Sequence, residues 1–366
     1  MSSKLIELQQ LQGHDDRVWH LAWSPNGEAL ASCSGDRTVR IWTRNSAGSW
    51  RCAAILEGTH TRTVRSCSWS PNGQLLATAS FDRTVAIWES QGDSWEHVAV
   101  LEGHENEVKA AAWNPNGNLI ATCGRDKTVW VWEAAPGHEY EVVDVKHGHS
   151  QDVKTVVWHP SGEVLVSCSY DDSIKLWMEN DDEWICVQTI NGPGVGHTST
   201  VWDVAFNPSG DYLASCSDDT TLKIWNCTRG SGDMKCSLAA TCSGYHNRTV
   251  FSIDWAASLP SNSDNDSSSL NSGCGYIATA SADNTICIFA VEQATAAGAA
   301  LQNGGDTAGG GGGGGGSVSC HLQCRKEQAH PCDVNCVRWH PKEANLIASA
   351  GDDGCIKIWK FDAATS

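Results

Sequence analysis

The stretch GRDKTVWVW, residues 124–132, contains a frame that recurs along the whole chain. The equivalent segments are SGDRTVRIW (34–42), SFDRTVAIW (80–88), SYDDSIKLW (169–177), SDDTTLKIW (217–225), SADNTICIF (281–289) and GDDGCIKIW (351–359). In every copy an Asp precedes a Trp or Phe by six residues, whereas the residue before the Asp varies. At this variable position the third copy carries Arg125, in a chain of formal net charge -18.

A histidine lies upstream of each framed Asp, at His14, His60, His104, His149, His197, His246 and His330. The spacing from His to Asp is 22 residues in the first five units, 37 in the sixth and 23 in the seventh. Such regularity predicts seven copies of one structural unit. The units span approximately residues 14–42, 60–88, 104–132, 149–177, 197–225, 246–289 and 330–359.

Each unit contains three short apolar or alternating runs, separated by turn sequences such as NPNG and GRDK. A fourth, weaker strand follows, as in WEHVAVLEG. Four antiparallel strands, with Gly-His at the start and Trp at the end, match the WD repeat. The sequence therefore predicts an all-β protein, a seven-bladed WD40-type β-propeller that occupies residues 1–366 as a single domain.

The last blade is one strand short in the sequence, because only KFDAATS follows Trp359. The N-terminal run LIELQQLQ has the composition of an outer strand. We therefore expect residues near Leu5 to Leu11 to pair with the last blade and to close the ring.

The sixth unit contains two insertions, at residues 258–273 and 294–319. The first is rich in Ser and Asn, and the second contains eight consecutive glycines. Neither composition provides enough apolar surface to offset the entropy of ordering, so both are predicted to be disordered loops.

The charge balance restricts the kind of partner. With 43 acidic and 25 basic residues, the chain lacks the positive field on which binding to nucleic acid or to a membrane surface depends. The N-terminal sequence has no signal-peptide pattern, and no window approaches ~18 consecutive apolar residues. These patterns predict a cytoplasmic or nuclear protein that binds neither nucleic acid nor membranes.

A recurring His, Asp and Ser or Thr invites comparison with a hydrolytic triad, but a triad occurs once, at a cleft. Recurrence in nearly every unit instead predicts a hydrogen-bonded network inside each blade. We therefore predict no enzymatic activity. The network residues are His14, Asp36, Trp42, His60, Asp82, Trp88, His104, Asp126, Trp132, His149, Asp171, Trp177, His197, Asp219 and Trp225.

Cysteine is abundant, with 17 residues. Cys33, Cys123, Cys168 and Cys216 recur at one position of the repeat, which predicts small buried side chains with free thiols. Four thiols in seventeen residues, Cys320, Cys324, Cys332 and Cys336, could bind zinc or an iron–sulfur cluster, but their spacing is not C-x2-C. We expect no metal and no cofactor, and iron binding by this group stays the alternative.

The mouth of the central channel is the expected binding surface. Each inner strand begins with a Val, so that alternation places its neighbours at the mouth, beside the residue that precedes each framed Asp. Arginines next to aromatic side chains are typical of protein-binding hot spots, although solvated charges without a role would give the same pattern. The predicted channel-mouth residues are Arg17, Trp19, Arg65, Lys109, Arg125, Lys154, Trp202 and Phe251.

The runs LEGHENEVK and SGYHNRTVFSIDW, together with GRDKTVWVW, resemble the WD-repeat family of the cytosolic iron–sulfur protein assembly machinery. The resemblance covers roughly residues 5–360, apart from the two sixth-unit insertions. It implies a non-catalytic scaffold that joins a MIP18-type adaptor, a large helical-repeat subunit and iron–sulfur apoproteins, in the cytosol and nucleus. It also implies that Arg125 is a functional surface residue. A peptide-binding adaptor of ubiquitin-ligase or signalling type would use the same surface, and stays the alternative.

Overall fold

The computed structural model describes residues 3–92, 94–181, 183–230, 233–256, 273–293 and 318–363. These residues form 28 strands in seven four-stranded antiparallel sheets, and this part of the chain contains no helix. The sheets are the blades of a seven-bladed β-propeller, so the predicted fold class is confirmed.

Blades one to six each consist of four consecutive strands, and each strand pairs with the next along the chain. The first blade contains β2 (Val18–Trp23), β3 (Ala29–Ser34), β4 (Val39–Arg44) and β5 (Trp50–Leu56). The second contains β6 (Val64–Trp69), β7 (Leu75–Ser80), β8 (Val85–Gln91) and β9 (Ser94–Leu101). The third contains β10 (Val108–Trp113), β11 (Leu119–Gly124), β12 (Thr128–Ala135) and β13 (Glu139–His147).

The remaining blades follow in the same order. The fourth contains β14 (Val153–Trp158), β15 (Val164–Ser169), β16 (Ile174–Asn180) and β17 (Glu183–Ile190). The fifth contains β18 (Val201–Phe206), β19 (Tyr212–Ser217), β20 (Leu222–Arg229) and β21 (Met234–Cys242). The sixth contains β22 (Val250–Trp255), β23 (Gly273–Ser281), β24 (Ile286–Gln293) and β25 (Val318–Lys326). The seventh contains β26 (Val334–Trp339), β27 (Leu346–Gly351), β28 (Ile356–Asp362) and β1 (Lys4–Leu11).

Strand β1 closes the ring by pairing with β28 from the other end of the chain. Leu5 is paired with Phe361 and Leu11 with Ile356, and both leucines are buried. Ile6 and Leu8, on the opposite face of β1, are exposed. The predicted closure is confirmed, and the contrast between buried Leu5 and exposed Ile6 follows from the two-residue period of a strand.

The burial of the strands decreases from the middle of a blade to its outer edge. Every residue of β15 and of β19 is buried, because these strands lie between the neighbouring blades. In the outer strand β9 every residue except Leu101 is exposed or half-buried. Such exposure is typical of a strand at the edge of a sheet with one face in solvent.

Tryptophan is abundant because two positions of the repeat use it. Six tryptophans lie within the third strand of a blade, and six more end the innermost strand. Among the latter, Trp69 donates its indole N–H to the carbonyl of Ala22 at 3.0 Å, and Trp158 donates to that of Ala112 at 3.0 Å. These bonds join adjacent blades.

The predicted sixth-unit loops extend too far at two points. Gly273 belongs to β23 and pairs with Glu292, and Val318 and Ser319 belong to β25, where Val318 pairs with Gln293. The composition of these residues resembles that of the insertions. They belong to strands because they pair with β24, and the composition of a segment does not show such pairing. The rest of both ranges lies outside the described residues.

The described residues include no helix with the length and apolarity that a membrane span requires.

Candidate functional site at the channel mouth

Each blade is held by a chain of side-chain hydrogen bonds. In the first blade Trp42 donates its indole N–H to Ser32 Oγ at 2.9 Å, and Ser32 Oγ lies 2.8 Å from Nε2 of His14. Nδ1 of His14 lies 2.8 Å from the carboxylate of Asp36, whose other oxygen accepts a 2.7 Å bond from Thr38 Oγ1. Since the carboxylate of Asp36 only accepts, the ring proton is on Nδ1, and in a neutral imidazole Nε2 then accepts from the Ser32 hydroxyl.

The His–Asp contact is present in all seven blades, with separations from 2.7 to 3.2 Å. The sixth blade has Phe289 in place of Trp, and there Thr279 still meets His246 at 2.8 Å. Although burial opposes ionisation, bonds from His14 and Thr38 hold the pKa of Asp36 well below its ordinary value. The predicted network residues thus meet inside their blades, where their polar side-chain atoms hydrogen-bond to one another.

The turn that follows the second strand places the variable residue at the channel mouth. Arg125 donates its backbone N–H to the carbonyl of Glu107, immediately before β10, at 2.8 Å. The same bond recurs in the other six blades. Its donors are Gly35, Phe81, Tyr170, Asp218, Ala282 and Asp352.

A cavity of about 550 Å³ occupies the channel, and the second residue of every innermost strand lines it. These residues are Trp19, Arg65, Lys109, Lys154, Trp202, Phe251 and Asn335. Arg17 and Arg125 lie outside this lining, in the turns above it. The structure therefore places six of the eight predicted channel-mouth residues on the channel wall and two at its edge.

Lys154 is held among aromatic rings. Its Nζ lies 4.1 Å from the ring centroids of both Tyr170 and Trp202. Trp202 packs edge-on against Phe251 and donates its indole N–H to Asp218 at 2.7 Å. Lys154 is only 8% exposed, so burial first, and the charges of nearby Lys109 and Arg65 next, lower its pKa to about 7.

Trp19 forms a second cation–aromatic group on the opposite side. The guanidinium carbons of Arg17 and Arg65 lie 5.3 and 5.0 Å from its ring centroid. Burial lowers the pKa of Arg65, and no carboxylate among the described residues lies within ion-pair distance of it. Arg17 lies 3.6 Å from Asp352, across the boundary between the first and seventh blades.

Arg125 shares one carboxylate with a second arginine. Its Nη1 lies 3.5 Å from Oε2 of Glu107, while Arg62 Nη2 lies 2.7 Å from Oε1 of the same side chain. Each guanidinium side chain is 55% exposed. One carboxylate for two arginines leaves positive charge at this edge of the mouth.

Arg62 was missed in the sequence because it lies two residues before the innermost strand rather than one. The sequence does offer one indication of its role, because a second arginine occupies the same position of another blade and makes the same contact. Arg62 donates to the carbonyl of Phe81, and Arg248, two residues before β22, donates to that of Ala282.

Part of the expected basic charge is neutralised within the protein. Lys109, predicted as a channel-mouth residue, lies 2.7 Å from Asp152 of the next blade, and its side chain is 12% exposed. A pairing across blades depends on which residues the ring brings together, so the sequence of one blade could not reveal it. The cations with the least compensation are Arg65, Arg125 and Lys154.

Deeper in the channel, a polar cluster absent from the sequence predictions surrounds Arg338. Its Nη1 and Nη2 each lie 3.2 Å from Asp203 Oδ2, and Nη2 donates to Nε2 of His20 at 3.0 Å. Ser252 Oγ accepts a further bond from Nη1 at 2.7 Å. Nearby, burial raises the pKa of Asp254 to about 6.

The structure does not gather the candidate ligands Cys320, Cys324, Cys332 and Cys336 into one group. Cys320 lies against Cys242, Cys324 packs in the core that contains Leu5, and Cys336 Sγ accepts the backbone N–H of Leu21 at 3.3 Å. Within the described ranges, the one set of three potential metal ligands is His20, Cys33 and Cys67. Cys33, Cys123, Cys168 and Cys216 are buried and free, whereas Cys227 and Cys236 form a disulfide between β20 and β21.

These features define the class of protein as a WD-repeat β-propeller. The family model for the WD domain, G-beta repeat, matches residues 6–43, 50–89, 95–133, 140–178, 184–226 and 322–360. Each matched segment begins in or beside the outer strand of one blade and ends in the third strand of the next.

Curated relatives specify the family further. A probable cytosolic iron–sulfur protein assembly protein, CIAO1 homologue, of Chlamydomonas reinhardtii is 51% identical over 373 residues, covering 95% of this chain and 96% of the relative. Protein CIA1 of Arabidopsis thaliana is 49% identical over 98% of this chain and 97% of its own. A probable ciao1 protein of Xenopus tropicalis is 50% identical over 99% of both. The chain belongs to the WD-repeat family of cytosolic iron–sulfur protein assembly proteins, which confirms the resemblance found in the sequence.

Proposed function

We propose that the chain is a non-catalytic scaffold for the assembly of cytosolic iron–sulfur proteins, and that its channel mouth binds protein partners. Its family and the names of its relatives support the first part. The proposed partners are a MIP18-type adaptor, a large helical-repeat subunit and iron–sulfur apoproteins. The proposed locations are the cytoplasm and the nucleus.

The observation that carries the second part is the position of Arg125. Its guanidinium is 55% exposed and shares Glu107 with Arg62, so it retains donors for a partner. A planar guanidinium binds a carboxylate through two parallel hydrogen bonds. We therefore propose that Arg125 meets an acidic side chain or a terminal carboxylate of a partner.

The aromatic side chains give this surface a second kind of contact. Trp202 and Phe251 are half-buried on the channel wall beside Lys154, and Trp19 lies between two arginines. Aromatic and arginine side chains at a concave site are the usual anchors of protein interfaces. This composition favours a protein segment over nucleic acid, in agreement with the net charge of -18.

The test is affinity purification of the full chain from cells that express it, with identification of the proteins that follow it. We compare wild type, Arg125→Glu and Arg51→Glu, because Arg51 is exposed on the outer strand β5, away from the mouth. We expect Arg125→Glu to lose assembly partners or apoproteins while keeping its melting temperature, and Arg51→Glu to behave as wild type.

An unchanged set of partners for Arg125→Glu would remove this residue from the binding site. Recovery of ubiquitin-ligase or signalling components, with no iron–sulfur assembly protein among them, would instead support the alternative of a general peptide-binding adaptor. Turnover of a substrate by the purified chain would contradict a purely non-catalytic role.

A further inference from the structure

Three side chains that ligate soft metal ions meet between the first and second blades. His20 on β2 and Cys33 on β3 are cross-strand partners, and Cys67 approaches from β6 of the next blade. Their ligand atoms all lie within 4.8 Å of one another. Nδ1 of His20 faces Cys67 Sγ at 4.0 Å.

The repeat itself does not require these residues. At the strand position of His20, other blades carry Ser66, Ala110, Thr155, Asp203, Ser252 and Cys336. At that of Cys67 they carry Leu21, Ala111, Val156, Val204, Ile253 and Val337. Cys33 recurs as Cys123, but the side chains that face Cys123 from the equivalent positions are Ala110 and Val156, which do not ligate metals.

We propose that His20, Cys33 and Cys67 form a binding site for one soft d10 metal ion, copper(I) or zinc(II). Thiolate and imidazole are the ligands that select these ions. Copper(I) fits the arrangement better, because three soft ligands satisfy it, whereas zinc in structural sites takes four.

Ion binding replaces protons. Each of the two thiols loses its proton to solvent and binds as a thiolate. Nδ1 of the neutral His20 ring binds through its lone pair, so the ring proton moves to Nε2, and Nε2 gives up its 3.0 Å contact with Arg338, whose donors keep Asp203 and Ser252. Exchanging two protons for Cu⁺ lowers the charge of the pocket by one, whereas Zn²⁺ leaves it unchanged. The charge of Arg65 acts on both His20 and Cys33, so it favours the exchange for Cu⁺.

The site has an entry path, which a buried metal site requires. His20 and Cys67 line the channel cavity of about 550 Å³, whereas Cys33 is fully buried behind them. An ion can therefore reach the ligands through the channel without unfolding of a blade.

The test is a competition titration of the reduced full chain under nitrogen, with Cu⁺ against a chromogenic copper(I) chelator and with Zn²⁺ against a zinc-chelating dye. The variants are Cys33→Ala, Cys67→Ala and His20→Ser. Ala79, Ala111 and Ser66 already occupy these positions in other blades, so the replacements suit the fold. The matched control is Cys123→Ala, which removes the equivalent cysteine of the third blade.

We expect wild type and Cys123→Ala to hold one equivalent of ion in at least one of the two titrations. Each ligand variant should bind it at least tenfold more weakly, since even outer-shell changes cost 10–100-fold. X-ray absorption of the loaded protein should show two sulfur neighbours and one nitrogen.

Two results would overturn the proposal. One is a wild type that holds neither ion more tightly than Cys33→Ala does. The other is an ion retained by all three ligand variants, which would place it on cysteines elsewhere in the chain. Melting curves of every variant establish that a loss of binding is not a loss of fold.

Discussion

Nδ1 of His246 lies 3.0 Å from Oδ2 of Asp283, although 37 residues separate them. In the first blade the same two atoms of His14 and Asp36 lie 2.8 Å apart across 22 residues. The sixth-unit insertion at residues 258–273 therefore leaves this contact unchanged. The network sets the geometry of the turn at the channel mouth independently of what the chain inserts at the other end of the blade.

The carboxylate of this network should be essential to stability. We expect Asp82→Ala to lower the free energy of unfolding by roughly 2–4 kcal/mol, because it leaves His60, Thr84 and a backbone N–H without their acceptor. Urea unfolding measures the change. Glu96→Ala, on the exposed edge of the same blade, is the control and should change stability by less than about 0.5 kcal/mol. An Asp82→Ala protein as stable as the control would contradict a structural role.

Ring closure is tested by two neighbouring residues of β1. Leu5→Lys should lower the free energy of unfolding by about 3 kcal/mol or more, because a buried leucine against Phe361 is replaced by a cation. Ile6→Lys should change it by less than about 0.5 kcal/mol, since Ile6 is 44% exposed. Thermal melting of both variants provides the comparison, and equal losses would refute the observed register.

Acid should destabilise the propeller in two stages. The pKa of His149 is lowered by burial from its ordinary 6.5, so the unfolded chain takes up its proton first as the pH falls below about 6.5. The framed carboxylates, such as Asp36, have a pKa held below the ordinary 3.8, so their contribution is lost as the pH falls from about 4. Asp254 has a pKa raised from 3.8 to about 6, so it alone adds to the free energy of unfolding as the pH falls between these two values. Urea titrations from pH 7 to 3 should show the free energy of unfolding falling, most steeply below pH 4, and a rise there would contradict the assignment.

Lys154 should give the channel its own pH dependence. Its pKa is lowered from 10.5 to about 7, so between these values the unfolded chain binds the proton that the folded chain has lost. The free energy of unfolding contributed by this group therefore rises with pH across that window. Lys154→Met removes the contribution. We expect the variant to gain stability relative to wild type at pH 6.5 and to lose that advantage towards pH 9, and a constant difference between the two profiles would contradict the lowered pKa.

The fold was predictable because its determinants are local and repeated. The framed Asp, its Trp six residues later and the upstream His identify each blade, and the missing strand after Trp359 indicated the role of the residues near Leu5. The repeat pattern does not predict the residue at which an irregular insertion ends. Gly273 and Val318 are extended because Glu292 and Gln293 on β24 pair with them, and that information lies outside their own segments.

The candidate site was predictable in position but not in pairing. Alternation placed Lys109, Lys154 and Trp202 on the channel wall, where the structure has them. It could not show that Lys109 meets Asp152 or that Lys154 lies between Tyr170 and Trp202, because these contacts cross blade boundaries. The cluster around Arg338 was missed for the same reason, since its partners His20, Asp203 and Ser252 come from three other blades.

The pairing of β1 with β28 has a consequence for synthesis on the ribosome. Gln10 of β1 and Cys355, immediately before β28, are in contact although 345 residues separate them. At translation rates of 5–20 residues per second, the amino-terminal strand waits roughly 20–70 seconds for its partner. During that interval six blades can form in the nascent chain, while β1 remains an unpaired edge. The ring therefore cannot close until β28 has been synthesised, and this interval is when a chaperone would be of most use to the protein.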